Sequence, residues 1–508
     1  MNNNPLLTDL YQLTMAQGYF REGMQDVQAS FCYTFREHPF KGGFAVFAGL
    51  QGLGEYLENW RFSADDIHYL AGLKAQDGSV LFNQNFLGYL KGLDACGLDV
   101  AAVPEGSIVF AGAPLVRVSG PLIVAQMIET ALMNRLNFET LIATKAARCY
   151  IAAGGVASNS GQGITGERRA GGKILEFGLR RAQGPDGGLS ASRAAYIGGC
   201  SASSNIEASR RYGIPLAGTH AHSWVMAHSS EEEAFAAWTR SAANNSVLLV
   251  DTYDSEKGIA QAVKAGAALE ARGGSFAGIR LDSGDLAWLS KRARKMLDTA
   301  GLKQAKIYAS NDLDEYTILS LRSQGALIDS WGVGTQLVTG GSQAALGGVY
   351  KMTALRASAA DPWQDKIKVS DTAIKTSTPG LLAVRRFLDE RQRPIGDMVY
   401  DQRRPPAVEE GSGGGEADLS IIDPGDALRQ KSFAPETASV ELLQAFFCQG
   451  SVVSGQADIH TSRKHCLASL ETLDKSHQRF MRPHLYPVGL ERGLFERRQA
   501  MISKHKGL

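Results

Sequence analysis

Gly278-Ile279-Arg280-Leu281-Asp282-Ser283-Gly284-Asp285 decides the fold. A short apolar run with one embedded arginine breaks into carboxylate, hydroxyl, glycine and carboxylate. The same design recurs along the chain. Ser246-Val247-Leu248-Leu249-Val250 ends at Asp251, and Lys306-Ile307-Tyr308-Ala309 ends at Ser310-Asn311-Asp312. A further run over 327–331 ends at Gly332-Val333-Gly334-Thr335. Helical patterns follow the first three runs. One covers 256–269, and another, capped by Ser310 or Asp312, runs through Leu321. The repeat of about 30 residues is the length of a βα unit. Continuous apolar strands with polar C-terminal ends belong to a parallel barrel or a doubly wound sheet, and in both the ligand sits at those ends. Asp251, Arg280, Asp282, Ser310, Asn311 and Thr335 are therefore expected to converge.

Thr219 and His222 are expected to join them, from Ala217-Gly218-Thr219-His220-Ala221-His222-Ser223-Trp224. Histidine is scarce here, and two at i and i+2 share one face of an extended segment. A neutral imidazole can take a proton, bind a metal or act as a nucleophile near pH 7. Two ordinary polar residues in a strand-to-loop turn are the plain alternative.

The chain has 508 residues, long enough for two or more domains, and a net charge of +1. That balance gives no field pointing to nucleic acid or a membrane surface. No apolar run reaches the roughly 20 residues needed to span a bilayer. Met1-Asn2-Asn3-Asn4-Pro5 lacks the pattern of a signal peptide, so a cytoplasmic location is expected. Six scattered cysteines without a C-x-x-C pair suit free thiols in a reducing compartment. His460, His465 and Cys466 read as a surface loop in preference to a metal site.

Ahead of the repeats the pattern is mixed α/β. Thr8 or Asp9 can cap a helix to about Phe20, carrying Tyr11 as a core aromatic or a ring offered to a ligand. Residues 29–36 read as a strand, 44–59 as a helix, and 108–122 as strands broken at Gly112 and Pro114. An uninterrupted helical pattern covers 123–153. Residues 174–177 form a short strand leading into the loop Gly178-Leu179-Arg180-Arg181-Ala182-Gln183-Gly184-Pro185-Asp186-Gly187-Gly188. Beyond Lys351 the alternation stops. Strands are expected over 366–393, a flexible loop over 403–416, and a largely helical end from Val440.

The polar ends favour a phosphorylated, sugar-like, acidic substrate. Gly332-Val333-Gly334-Thr335 and Thr339-Gly340-Gly341-Ser342 suit phosphate or ordinary turns. Arg280 and Arg180 suit carboxylate or phosphate, whereas Arg168 and Arg169 read as a solvated loop. Arg280 lies inside an apolar strand, where an unpaired charge is costly. Asp282 or Asp285 can hold Mg²⁺, receive ribose hydroxyls or orient a histidine.

Several motifs in order resemble the nicotinate phosphoribosyltransferase family. They are 6–15, 176–188, 218–224, 279–285, Gly347-Gly348-Val349-Tyr350-Lys351-Met352 and Arg482-Pro483-His484-Leu485-Tyr486-Pro487-Val488-Gly489-Leu490. The resemblance implies transfer of phosphoribosyl from phosphoribosyl pyrophosphate (PRPP) to nicotinate, giving nicotinate mononucleotide and pyrophosphate for NAD salvage. It implies ATP hydrolysis coupled through a phosphohistidine, which selects His222 over His220. It also implies an irregular (β/α) barrel over 141–352, packed on a mixed α/β sandwich domain formed by 1–140 and 353–508, in a homodimer using Mg²⁺. By that likeness Tyr11 and Phe177 cover the nicotinate ring, Tyr11 from a partner subunit. Thr219 and Arg280 line nicotinate, and Gly334-Thr335 contacts PRPP. Arg180, Asp282, Ser310 and Asn311 are further candidates for phosphate, ribose and Mg²⁺. A nicotinamide-using sister enzyme is the alternative. It places an Asp near the position of Ser203, where a carboxylate would repel nicotinate. A barrel that binds PRPP or nucleotide without catalysis is the remaining alternative.

Overall fold

The computed structural model describes residues 4–156, 172–372, 375–406, 419–453, 455 and 457–507. Arg168, Arg169 and most of the 403–416 loop lie outside them. The chain divides into two compact units, residues 142–344 and residues 1–141 with 345–508.

The 142–344 unit contains the repeats. Strands β1 (Lys173–Glu176), β2 (Ala202–Ser203), β3 (Val247–Leu249), β4 (Gly278–Leu281), β5 (Lys306–Ala309) and β6 (Ser330–Val333) form one sheet in the order β2-β1-β6-β5-β4-β3. Every neighbouring pair is parallel. The strands read as unbroken apolar runs because they are covered: Leu248, Ile279, Leu281, Ile307 and Val333 are fully buried.

The connecting helices are α1 (Gly184–Ile197), α2 (Glu231–Ser241), α3 (Ser255–Glu270), α4 (Leu286–Thr299) and α5 (Glu315–Ser323). An aspartate caps each of the last three. Asp254 accepts from the Lys257 amide at 2.9 Å, Asp285 from Trp288 at 2.9 Å and Asp314 from Thr317 at 2.7 Å. Each cap satisfies an amide that lacks an intrahelical partner and complements the helix dipole. The expected caps Ser310 and Asp312 are thereby corrected. Asn311 and Asp312 have φ of 116° and 42°, which no helix start allows, and the helix begins after Asp314. The Gly-Pro segment expected as loop instead opens α1. Gly184 turns the chain at φ +80°, and Pro185 sits in the first helical turn, where its missing N–H is not needed. The long pattern over 123–153 is two helices, Leu122–Met127 and Glu129–Ala152, joined at Ile128.

Strands from both chain ends build the other unit. Gln28–Phe35 lies between Gly348–Arg356 and Val116–Pro121, antiparallel to both, in a seven-stranded sheet that also takes in Asp99–Ala102 and Gln444–Cys448. Residues 345–352 therefore belong here and not with the parallel sheet, which moves that boundary of the sequence reading to 344. A second, six-stranded sheet is drawn wholly from 382–491, so the end beyond Val440 is less helical than its composition implied. One apolar core takes side chains from both sheets of this unit, among them Phe31, Val118, Val384 and Leu490. The expected helix over 44–59 starts only at Leu50. Ala45–Val46 pairs with Ile108–Val109, and Gly49, at φ +111°, turns the chain into the helix.

Within the 142–344 unit, α5 is tied to the Glu129–Ala152 helix by charge. Glu315 is fully buried, with Lys145 Nζ at 2.5 Å and Arg148 Nε at 2.8 Å from its carboxylate. Such a site tolerates no loss of one sign. Glu315→Gln removes the negative charge between two buried cations. It is expected to cost about 3–5 kcal/mol, measured as a lowered urea midpoint.

Candidate active site

Because every strand of the sheet runs in one direction, the polar residues that follow each strand gather on a single rim. Phe177 follows β1, Asp251-Thr252 lies just past β3, Asp282-Ser283 follows β4, Ser310-Asn311 follows β5 and Gly334-Thr335 follows β6. The 215–222 segment runs beside β2: the Ser203 amide donates to Pro215 O and the Ala217 amide to Ser203 O, both at 3.0 Å.

Arg280 is the hub. Its Nε donates to Ser310 Oγ at 2.7 Å, Nη1 to Thr219 Oγ1 at 3.1 Å and Nη2 to Asp282 Oδ1 at 2.8 Å. Ser310 Oγ also donates to Asp282 Oδ1. The guanidinium carbon lies 5.7 Å from the centroid of the Phe177 ring, within cation–π range. Burial on its own raises the Asp282 carboxyl, but the Ser310 hydrogen bond and the Arg280 charge outweigh it and hold Asp282 below the ordinary carboxylate range.

The arginine opens onto a cavity of about 200 Å³. Phe177, Thr219, Ser310 and Gly332 line it with Arg280, as do Ala217, Gly218 and Val247. Gly332 is required by the ring. A Cβ there would stand 2.7 Å from Phe177 Cδ2.

His222 lies beside this cluster. Its Nδ1 is 3.2 Å from Thr252 Oγ1, and Nε2 is 3.7 Å from Asp282 Oδ2. Its side chain retains 41% exposure, so the ring is held yet reachable. Asp251 organises the adjacent turn, with Oδ2 accepting from the Asp282 amide at 2.8 Å and Ser283 Oγ at 2.6 Å. Its other oxygen is buried with no hydrogen-bond partner among the described residues.

The structure thus joins Phe177, Thr219, His222, Arg280, Asp282 and Ser310 by direct contacts. Asn311, Gly334 and Thr335 share the rim without entering that network. Arg180 stands exposed on the turn after β1 and makes no hydrogen bond or ion pair to it among the described residues. Asp285 is occupied as the α4 cap. Tyr11 lies in the other unit on the helix Leu10–Arg21, 49% exposed, its hydroxyl accepting from Gln12 at 2.9 Å. Ser203 does not line the cavity. It is buried, and its hydroxyl donates to Glu176, a fully buried carboxylate that also accepts from Ser192 at 2.8 Å and from the Gly178 amide.

Three further residues emerge from the structure. Thr252 holds the His222 ring; its signal was its place directly after Asp251, at a strand end already singled out. Glu176 lies inside a strand and Glu231 at the start of a helix, and nothing in their spacing marks them. Glu231 is buried, one of its oxygens has no hydrogen-bond partner among the described residues, and burial, then Asp251 and Asp254, push its carboxyl up to about 7.

Three family models match the chain. They are the nicotinate phosphoribosyltransferase N-terminal domain over 6–137, the nicotinate phosphoribosyltransferase family over 173–387 and the C-terminal domain over 383–498. The nicotinate phosphoribosyltransferase of Bacillus subtilis is 39% identical, covering 99% of this chain and 96% of its own. The chain belongs to the nicotinate phosphoribosyltransferase family. The human nicotinate phosphoribosyltransferase is 33% identical over 98% of this chain and 96% of its own. The crystal structure of human nicotinic acid phosphoribosyltransferase superposes with a TM-score of 0.80 at 30% identity, covering 98% and 99% of the two chains. That match shows an α/β fold shared with another family member along nearly the whole chain.

Two outcomes follow from this geometry. Gly332→Ala drives the Phe177 ring from its place, and overpacking of this kind costs about 1–3 kcal/mol. A fall in thermal stability together with a raised KM for the ring substrate is the expected result. Glu231, with a folded value of about 7 against an ordinary 4.5, binds a proton more readily folded than unfolded. Its contribution is full below 4.5 and is lost as pH rises through 7. Glu231→Gln is therefore expected to gain stability relative to the parent between those values, levelling off above 7, in urea titrations across pH.

Proposed function

We propose that the chain is a nicotinate phosphoribosyltransferase acting in NAD biosynthesis. The ring nitrogen of nicotinate forms a bond to C1′ of PRPP. The C1′–O bond breaks, and pyrophosphate leaves with its electron pair. The observation that carries this reading is the Arg280–Phe177 cavity. An aromatic face fixes the plane of a pyridine ring and a guanidinium fixes its carboxylate. Arg280 uses three hydrogen-bond donors on Ser310, Thr219 and Asp282. A guanidinium has five N–H groups, so two are left for an acid. Those donors favour nicotinate over nicotinamide, and Ser203 adds no carboxylate to this cavity.

The ribose and phosphates of PRPP are assigned to the exposed part of the rim. Gly334-Thr335, Asn311 and Arg180 supply backbone, amide and guanidinium donors there. Phe177 and Arg280 hold the ring while C1′ is presented in line, which removes orientational freedom before reaction. Mg²⁺ fits this donor set. Among the described residues no group of three or more metal-ligating side chains occurs. Mg²⁺ needs none, because it keeps waters and substrate phosphates and takes one or two carboxylates. Asp282, held ionised by Ser310 and Arg280, is the residue assigned to it. When bound, the ion stabilises negative charge on the departing pyrophosphate.

ATP coupling is assigned to His222. Thr252 occupies Nδ1, and Nε2 remains the ring nitrogen available to a phosphoryl group. The N–P bond forms at Nε2 as the bond from the γ-phosphorus to ADP breaks. Asp282 beside Nε2 keeps the ring oriented.

The parallel sheet is read as an irregular barrel, and the two sheets of the other unit as a sandwich. The homodimer rests on the helix Leu10–Arg21. Leu7, Leu10, Tyr11 and Met15 are exposed on or just before it, an apolar set that a second copy would cover while offering Tyr11. A cytoplasmic location is part of the same proposal; among the described residues no helix is long and apolar enough to cross a membrane.

His222→Ala is expected to abolish ATP stimulation while leaving ATP-independent transfer, measured as pyrophosphate release with nicotinate and PRPP. Normal ATP coupling in that variant removes His222 from this role. Omitting Mg²⁺ is expected to stop both reactions, and competition assays should show nicotinate preferred over nicotinamide.

A further inference from the structure

We propose that His220 is a positioning residue: its imidazole forms a side-chain rung between the 215–222 segment and the edge of β3, and so holds the ring-binding cavity open. What the cavity binds rests on the reading above; the rung itself does not.

The parallel sheet ends on β2 and β3. Beyond β2 the 215–217 backbone continues the pairing, with a parallel bridge between Ser203 and Leu216. Among the described residues no such pairing is made at the β3 edge. The Leu249 amide donates instead to His220 Nε2 at 3.1 Å. Just before β3, Asn245 Nδ2 donates to Gly218 O at 3.1 Å. Two side chains therefore span what a strand would otherwise fill.

The substitution has a geometric consequence. A backbone ladder draws two chains to about 4.8 Å. An imidazole inserted between them sets the backbones further apart by the length of the side chain. Leu216, Ala217, Gly218 and Thr219 of that segment line the cavity, and so do Val247 of β3 and Arg280 of β4. The separation is the space the ring needs.

The rung is rigid and its proton is placed. His220 is 4% exposed, with the Trp238 ring edge-on at 4.9 Å and Phe235 at 6.3 Å, both from α2. Its Nδ1 lies 3.3 Å from Ala221 O. Only the neutral ring with its proton on Nδ1 donates there and accepts from Leu249. Burial, helped by the Arg280 charge, outweighs the Ala221 hydrogen bond and favours this neutral form, pushing the ring down to about 4. One residue before the rung, Thr219 meets Arg280. Two residues after it, His222 meets Thr252 and Asp282. Fixing one imidazole thus sets both partners.

The test uses the full chain and two variants. His220→Leu keeps most of the volume and loses the acceptor. His220→Gln keeps an oxygen that can reach the Leu249 amide. His220→Leu is expected to raise the KM for nicotinate by about tenfold, the scale of one lost buried hydrogen bond, with kcat and the KM for PRPP changed much less. His220→Gln is expected to recover most of that loss. Hydrogen exchange over 247–250 should be slow in the parent and in His220→Gln, and fast in His220→Leu. Nitrogen NMR of the parent at pH 7 should show a neutral ring protonated at Nδ1. An unchanged nicotinate KM in His220→Leu, or a parent ring that is cationic or protonated at Nε2, overturns the proposal. If His220→Leu fails to fold, the parent NMR spectrum and His220→Gln decide it. If the parent turns over no nicotinate, the functional reading fails, while exchange and NMR still decide the rung.

Discussion

The 142–344 unit depends on one charge placed inside an apolar strand. Arg280 follows Ile279 and precedes Leu281, both fully buried, and a guanidinium in such company must be matched or it costs several kcal/mol. Asp282, two residues on, supplies the opposite charge, while Thr219 and Ser310 supply oxygens from elsewhere in the unit. The requirement to satisfy one cation therefore orders three connections at once. The arrangement also keeps the guanidinium useful, because its plane is fixed and part of its donor set stays open to the cavity.

Around that charge, the two histidines of the 217–224 stretch divide the work. They are two positions apart, yet one is 4% exposed and clamped by aromatic rings, and the other keeps 41% of its side chain exposed beside a carboxylate. Residue type does not separate them; surroundings do. A buried imidazole is a neutral hydrogen-bonding spacer, whereas an accessible one next to an acid is available for chemistry. The carboxylates show the same division. Glu176 is saturated with donors and anchors Gly178 behind Phe177, while Glu231 and Asp251 each retain an oxygen without a hydrogen-bond partner among the described residues.

Much of this was legible in the chain itself. Parallel strands leave a specific record, unbroken apolar runs closed by Asp, Ser, Asn or Gly, because both faces are covered and the polar groups collect where the strands end. That record points Asp251, Arg280, Asp282 and Ser310 to one rim, where hydrogen bonds link them. The reading failed where a local signal had two meanings. Gly184-Pro185 looks like a loop and also makes a sound first helical turn. The apolar stretch from Phe44 looks helical, but pairing with Ile108–Val109 takes its start into a strand. Ser310 and Asp312 are good capping types, yet the left-handed backbone at 311 and 312 rules them out.

The sequence by itself determined the order of the repeats, the rim on which polar residues gather and the family to which its motifs point, because each is written in local periodicity or in contiguous motifs. Tertiary structure alone decided that Asp285 caps a helix while Asp282 bonds Arg280, that Arg180 stands outside the Arg280 network, and that His220 is buried while His222 is not. It also decided that residues 348–352 join a sheet begun more than 300 positions earlier. Those outcomes turn on which groups meet across long separations and which lose their water. Neither is encoded in the neighbours of a residue along the chain.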